Sequence, residues 1–260
     1  MRKFKQSFCI PCFLEGSGPE PVRRVIAAAA KIGYQAVELW ARENFPFALI
    51  CQAAGDNGMV VSTISGHKSL QNGLNKRENH RGIRDEILAS LEVAQARGIA
   101  NLICFSGNRY GVSDEECIPI VAEGLYAVKD AAEKAGVTLV LELLNSKVNH
   151  AGYQCDRTAW GVEVIRRVVS PNVKLLYDIY HMQIMEGDLC RTIAGNIEHI
   201  GHFHTAGNPG RHDMDDTQEI NYRAVADAID ATGYDRYVAH EFMPKKDKIK
   251  ALEAAFLLFG

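Results

Sequence analysis

Short apolar runs rich in Val, Ile and Leu alternate with longer amphipathic stretches along the whole chain. This alternation limits the fold more than any other feature. Strand-like segments are predicted at 4–10, 35–40, 60–66, 101–106, 137–144, 173–178, 199–204 and 237–241. Val137-Thr138-Leu139-Val140-Leu141 shows little polar alternation, as a parallel strand covered on both faces requires. Between the strands, Ile83, Ile87, Leu91 and Ala94 recur at helical spacing and predict a helix over 81–97. Ser113 with Glu116 three residues on is a capping-box signature for another, and a last helix is expected from Asp247. Gly33, Gly98, Gly136 and Gly233 stand just before strands, where a left-handed residue ends a helix well. Eight such units predict an α/β chain folded as a single-domain (β/α)8 TIM barrel over 1–260, with an open doubly wound sheet as the alternative. The length of 260 residues suits that barrel. No G-x-G-x-x-G loop follows the first strand to favour a dinucleotide fold.

Composition bounds the partners. A net charge of -3 leaves no electrostatic footprint for nucleic acid. No apolar run approaches the roughly 18 residues of a membrane span. The basic start, Met1-Arg2-Lys3-Phe4-Lys5-Gln6, runs into a strand-like segment without the sustained apolar region of a secretion signal. A cytoplasmic protein acting on a small molecule, with no nucleic acid or membrane partner, is the expectation; a homo-oligomer stays open. The cysteines number seven and are scattered, so no disulfide framework is expected. Cys9-Ile10-Pro11-Cys12 forms a C-x-x-C, but no second pair completes a zinc site and no thioredoxin-like order surrounds it. It is assigned to chance or packing.

Barrel chemistry sits at the C-terminal ends of the strands. The last four strands end in Glu142, Asp178, His204 and Glu241. Alternation along a strand sends Val140 and Thr138 to the same side as Glu142, and Leu139 and Leu141 to the helices. One polar side chain therefore projects inward at the top of each of four neighbouring strands. Three carboxylates converging on an imidazole repel one another unless a cation neutralises them. The mixed oxygen and nitrogen set suits Mg2+, Mn2+, Co2+ or Zn2+.

The stretches Leu141-Glu142-Leu143-Leu144-Asn145, Tyr177-Asp178-Ile179-Tyr180-His181-Met182-Gln183, Gly201 to His212 and Glu219-Ile220-Asn221-Tyr222 resemble the hydroxypyruvate isomerase family. That family belongs to the xylose isomerase-like barrel superfamily, beside ketose 3-epimerases and 2-oxo-tetronate isomerases. The resemblance is specific from about 142 to 241. It implies that Glu142 and Glu241 are the acid/base pair and that they hold the metal together with Asp178 and His204. Many members carry glutamine at the last of these places; the histidine here is shared with the epimerases. The epimerases also carry a glutamate where this chain has Val148.

The implied reaction removes a proton from a carbon beside a carbonyl and returns one to its neighbour. The intermediate enediolate is stabilised by the ion, and each positioned acid or base contributes about 10²–10⁴-fold. Hydroxypyruvate would give 2-hydroxy-3-oxopropanoate. His181, three residues after Asp178, is a candidate to orient a substrate oxygen. Arg211, in a Gly/Pro-rich loop, is a candidate to grip a carboxylate or hydroxyl. His67, after strand three, is a candidate pocket wall. His202 is expected one layer below His204, in packing or in support of a ligand. His240 should face outward, and the side on which Glu38 lies is open. The alternatives are a ketose 3-epimerase or 2-oxo-tetronate isomerase, a dehydratase of cyclic polyols and, from another class, a non-catalytic metal- or sugar-binding barrel. A zinc endonuclease of the same architecture would need more metal ligands and a basic DNA face.

Overall fold

The computed structural model describes residues 2–16 and 18–260. Eight parallel strands close into a barrel in chain order. They are β1 (Lys5–Cys9), β2 (Ala36–Glu38), β3 (Val60–Ser65), β4 (Asn101–Cys104), β5 (Thr138–Glu142), β6 (Val173–Asp178), β7 (Ile200–Thr205) and β8 (Tyr237–His240). Pairing of β1 with β8 completes the closure. The (β/α)8 expectation holds, and the open sheet is excluded. Among the described residues no helix is long and apolar enough to cross a membrane.

Helices form the outer ring: α1 (Ile10–Phe13), α2 (Pro19–Ile32), α3 (Phe47–Asp56), α4 (Arg77–Arg97), α5 (Asp114–Ala135), α6 (Thr158–Val168), α7 (Ile179–Met185), α8 (Leu189–Asn196), α9 (Tyr222–Ala231) and α10 (Lys248–Leu258). On α4 the predicted stripe Ile83, Ile87, Leu91 and Ala94 is buried. At the start of α5 the Ser113 hydroxyl accepts from the Glu116 amide while the Glu116 carboxylate accepts from the Ser113 amide, closing the capping box. Gly98 and Gly136 end α4 and α5 in the left-handed conformation, at φ 67° in each case, where a Cβ is disfavoured. The main core lies between strands and helices and holds Phe8, Leu139, Tyr177, Phe203 and Phe259, all buried.

Boundaries differ from expectation where the chain turns toward the site. Ile10 already begins α1, so Cys9 closes β1 while Cys12 sits in a short helix, and both thiols are free and buried. β5 stops at Glu142 rather than Leu144. β2 is short, with a register shift between Val37 and Glu38 against β3. Such irregularities cluster beside active sites because they re-aim a side chain.

Candidate active site

Glu142 and Asp178 are the final residues of β5 and β6; His204 is one residue from the end of β7; Glu241 follows β8 directly. Register holds neighbours level: Asp178 pairs with His204, and His204 with Ala239. All four side chains are buried. One ligating atom from each lies within 4.8 Å of the others. His204 Nδ1 is 3.1 Å from Glu241 Oε2, 3.4 Å from Glu142 Oε1 and 3.9 Å from Asp178 Oδ2. The four strand-end residues singled out in the sequence are thus brought to one centre.

Burial raises the pKa of Glu142, with His204 opposing the shift. It raises Asp178 to about 7 against the pull of Arg211 and His204. For Glu241 burial also disfavours ionisation, but Arg211, His204 and Trp40 hold its carboxyl well below the usual range. The His204 pKa is driven well above its ordinary value because Glu38 and Glu241 outweigh the cost of burial. A cluster of this kind calls for positive charge at its centre. The His204 Nδ1 atom, buried and without an aligned hydrogen-bond partner, points into that centre. Three carboxylates and one imidazole therefore fit a divalent cation of the Mg2+, Mn2+, Co2+ or Zn2+ type.

A cavity of about 290 Å³ opens over this centre. Ile103, Phe105 and Leu144 form an apolar wall; Glu142, His204, Arg211 and Glu241 form the polar floor. Arg211 reaches the floor because its loop folds back: Gly207 bridges His212, and the Met243 amide donates to the Arg211 carbonyl. Arg211 itself is held at φ 58°, a conformation that costs an L residue roughly 1–2 kcal/mol. Its Nη2 lies 2.5 Å from Glu241 Oε2.

His181 takes its place from the start of α7, where Asp178 Oδ1 accepts from the His181 amide as the N-cap. His181 Nδ1 accepts from the Asn145 amide at 3.1 Å and its side-chain Nδ2 at 2.5 Å. The ring proton therefore belongs on Nε2, which lies 3.6 Å from Asp178 Oδ2. Burial, reinforced by Arg211, drives the His181 pKa well below its usual value, so the ring is neutral.

His67 falls elsewhere. Its Nε2 accepts from the Phe105 amide at 2.8 Å, and the ring walls a separate cavity of about 120 Å³ with Arg42 and Glu86. That cavity adjoins the larger one through Ala41, Ser65 and Lys68. His240 faces outward as expected, bonded to Thr205 and Gln6 between barrel and helices.

Trp40, His150 and Glu38 were not assigned a place in the site. Trp40 Nε1 donates to Glu241 Oε1 at 2.5 Å, and His150 walls the cavity against the His181 ring. Glu38 is buried beneath His204, with His202 beside it. A signal for Glu38 and Trp40 existed. Val37 and Leu39 are the helix-facing pair of Val37-Glu38-Leu39-Trp40, which turns the other two inward.

Residues 26–257 match the model of the xylose isomerase-like TIM barrels. The chain belongs to this family. It is 29% identical over 228 residues to a 2-oxo-tetronate isomerase of Cupriavidus necator, covering 84% of this chain and 86% of the relative. With a hydroxypyruvate isomerase of Escherichia coli it shares 32% identity over 163 residues, 62% of each chain. Among solved structures, a D-allulose 3-epimerase from Methylomonas sp. superposes with a TM-score of 0.81 at 17% identity, over 100% of this chain and 96% of that one. At that identity the likeness speaks for the barrel alone.

Proposed function

We propose that this chain is an isomerase that moves a proton between adjacent carbons of a small 2-oxo acid, interconverting hydroxypyruvate and 2-hydroxy-3-oxopropanoate. The carrying observation is that Glu142, at the end of β5, and Glu241, just after β8, flank one imidazole nitrogen at 3.4 and 3.1 Å on the floor of a cavity. A site that only binds needs ligands but not two opposed bases; an aldose–ketose isomerisation needs both.

In the forward direction a proton leaves the C3 carbon of hydroxypyruvate, the electron pair forms an enediolate, and a proton arrives at C2 as the hydroxyl proton moves from O3 to O2. Glu142 and Glu241 are the two carboxylates that take and return the proton; Arg211 and His204 favour the ionised form of Glu241, and burial disfavours that of Glu142. Neutral His181 offers its Nε2–H to a substrate oxygen, and the Arg211 guanidinium steadies both Glu241 and the substrate. Glu142, Asp178, His204 and Glu241 would hold a divalent ion, which would supply Lewis acidity to a substrate carbonyl. Ile103, Phe105 and Leu144 line the same cavity with apolar surface.

A second reading is the same chemistry on a four-carbon acid, favoured by the longer match to the 2-oxo-tetronate isomerase. The deciding experiment is a turnover panel of hydroxypyruvate, 2-oxo-tetronate, fructose and tagatose with added Mn2+. Turnover of a 2-oxo acid supports the reading. Turnover of a ketose alone replaces it with epimerisation, and failure on every compound, with metal bound, replaces it with a binding role.

A further inference from the structure

Beneath the four-residue centre lies a second cluster that shares only His204 with it: Glu38, His202 and His204, all buried inside the barrel. The two oxygens of Glu38 are divided between the two rings. Oε2 is 2.8 Å from His202 Nε2 in an aligned hydrogen bond. Oε1 is 2.7 Å from His204 Nε2 in a close contact that lies off the hydrogen-bond line. The opposite nitrogen of His204, Nδ1, faces Glu142, Asp178 and Glu241. The imidazole is thus sandwiched, with one carboxylate below and three above.

The lower partner is itself fixed. Asn101 Nδ2 approaches His202 Nδ1 at 3.5 Å and Thr63 Oγ1 at 3.3 Å. As a donor it leaves His202 Nδ1 an acceptor, so the His202 proton belongs on Nε2, pointing at Glu38. With His202 presenting Nε2–H, Glu38 Oε2 accepts from it, and Glu38 Oε1 is left facing His204 Nε2 at 2.7 Å.

We infer that Glu38 is the positioning residue for the metal centre: it fixes the His204 proton on Nε2, so that the Nδ1 lone pair is aimed at the ion. This rests on the proposed metal-dependent reading. The alternative occupancy of the lower cluster, a second ion held by Glu38, His202 and His204 Nε2, requires an imidazolate shared between two ions. The direct 2.7 and 2.8 Å contacts leave no room for an ion between these groups. Replacing the carboxylate by an amide puts an N–H donor against one ring, which drives that ring's proton to Nδ1. Loss of a carboxylate behind a metal-bound histidine typically weakens metal binding by roughly 10–100-fold.

The test is calorimetric titration of the chelator-stripped protein with Mn2+, wild type against Glu38→Gln, with 15N-histidine NMR of the Zn2+-loaded wild type. Expected are one ion per chain, a 10–100-fold weaker dissociation constant in the variant, and a His204 signal showing Nε2–H with metal on Nδ1. Equal affinity in the variant, two ions per wild-type chain, or metal on Nε2 overturns the inference. If Glu38→Gln does not fold, the NMR assignment in the wild type decides alone. A wild type that binds no divalent ion at all fails the metal reading itself, and is thereby told apart from failure of the Glu38 inference.

Discussion

Arg211 Nη2 lies 2.5 Å from Glu241 Oε2, tying the loop after β7 to the end of β8. The same carboxylate receives Trp40 Nε1 on its other oxygen. Glu241 is therefore fixed in direction as well as in charge, and a strained loop residue supplies part of that hold.

Arg211→Ala should lower kcat/KM by on the order of 10²-fold, the scale of a misplaced reacting group. The guanidinium stabilises ionised Glu241, so its loss raises the Glu241 pKa. The acid limb of the pH–rate profile should move to higher pH. An unmoved limb with unchanged kcat/KM would return Arg211 to an ordinary loop residue.

His181 is proposed to act as a neutral donor through Nε2, which in the structure lies 3.6 Å from Asp178 Oδ2. 15N NMR should find it carrying Nε2–H, with no titration between pH 6 and 8, since its folded pKa is lowered out of that window. His181→Phe keeps bulk but loses the donor, and should cost roughly 10–100-fold in kcat/KM, as a hydrogen bond to developing charge does. A charged imidazolium at pH 7 would contradict the assignment.

A divalent ion at the proposed site would tie stability to Asp178. Its pKa is raised to about 7, so with metal chelated the folded chain keeps a proton that the unfolded chain has already released. That contribution is full below the ordinary carboxylate range and is lost as pH rises toward about 7. Asp178→Asn removes this buried ionisable group while still capping α7. In chelator at pH 8 its Tm should equal or exceed the wild type's, and added Mn2+ should no longer raise it. A metal-induced rise equal to the wild type's would exclude Asp178 from the site.

Away from the site, Ser113→Ala removes the capping hydroxyl of α5 and should cost about 1 kcal/mol in denaturant unfolding. An unchanged midpoint would show that the Glu116 half of the box suffices.

The barrel was legible because its periods are local. The buried stripe of α4, the Ser113–Glu116 box and the apolar run of β5 each declare themselves within a few residues. The four candidate ligands were legible for a related reason, since topology alone brings the ends of β5 to β8 to one rim. Glu38 was not assigned because β2 is short and irregular, and its worth depends on two histidines far along the chain. His67 shows the converse. It stands at a strand end like the others, but its ring turns to the Phe105 amide and the smaller cavity. Position along the chain fixed its height in the barrel but not its direction.

The central claim is that Glu142 and Glu241 carry the proton, and it is tested most directly by kcat of Glu142→Gln and Glu241→Gln with metal occupancy measured in the same samples. On the substrate that the wild type turns over, each metal-replete variant should lose about 10²–10⁴-fold in kcat. The double variant should lose far less than the product of the two, because the residues act as one unit. Wild-type turnover by either metal-replete variant would contradict the two-carboxylate mechanism.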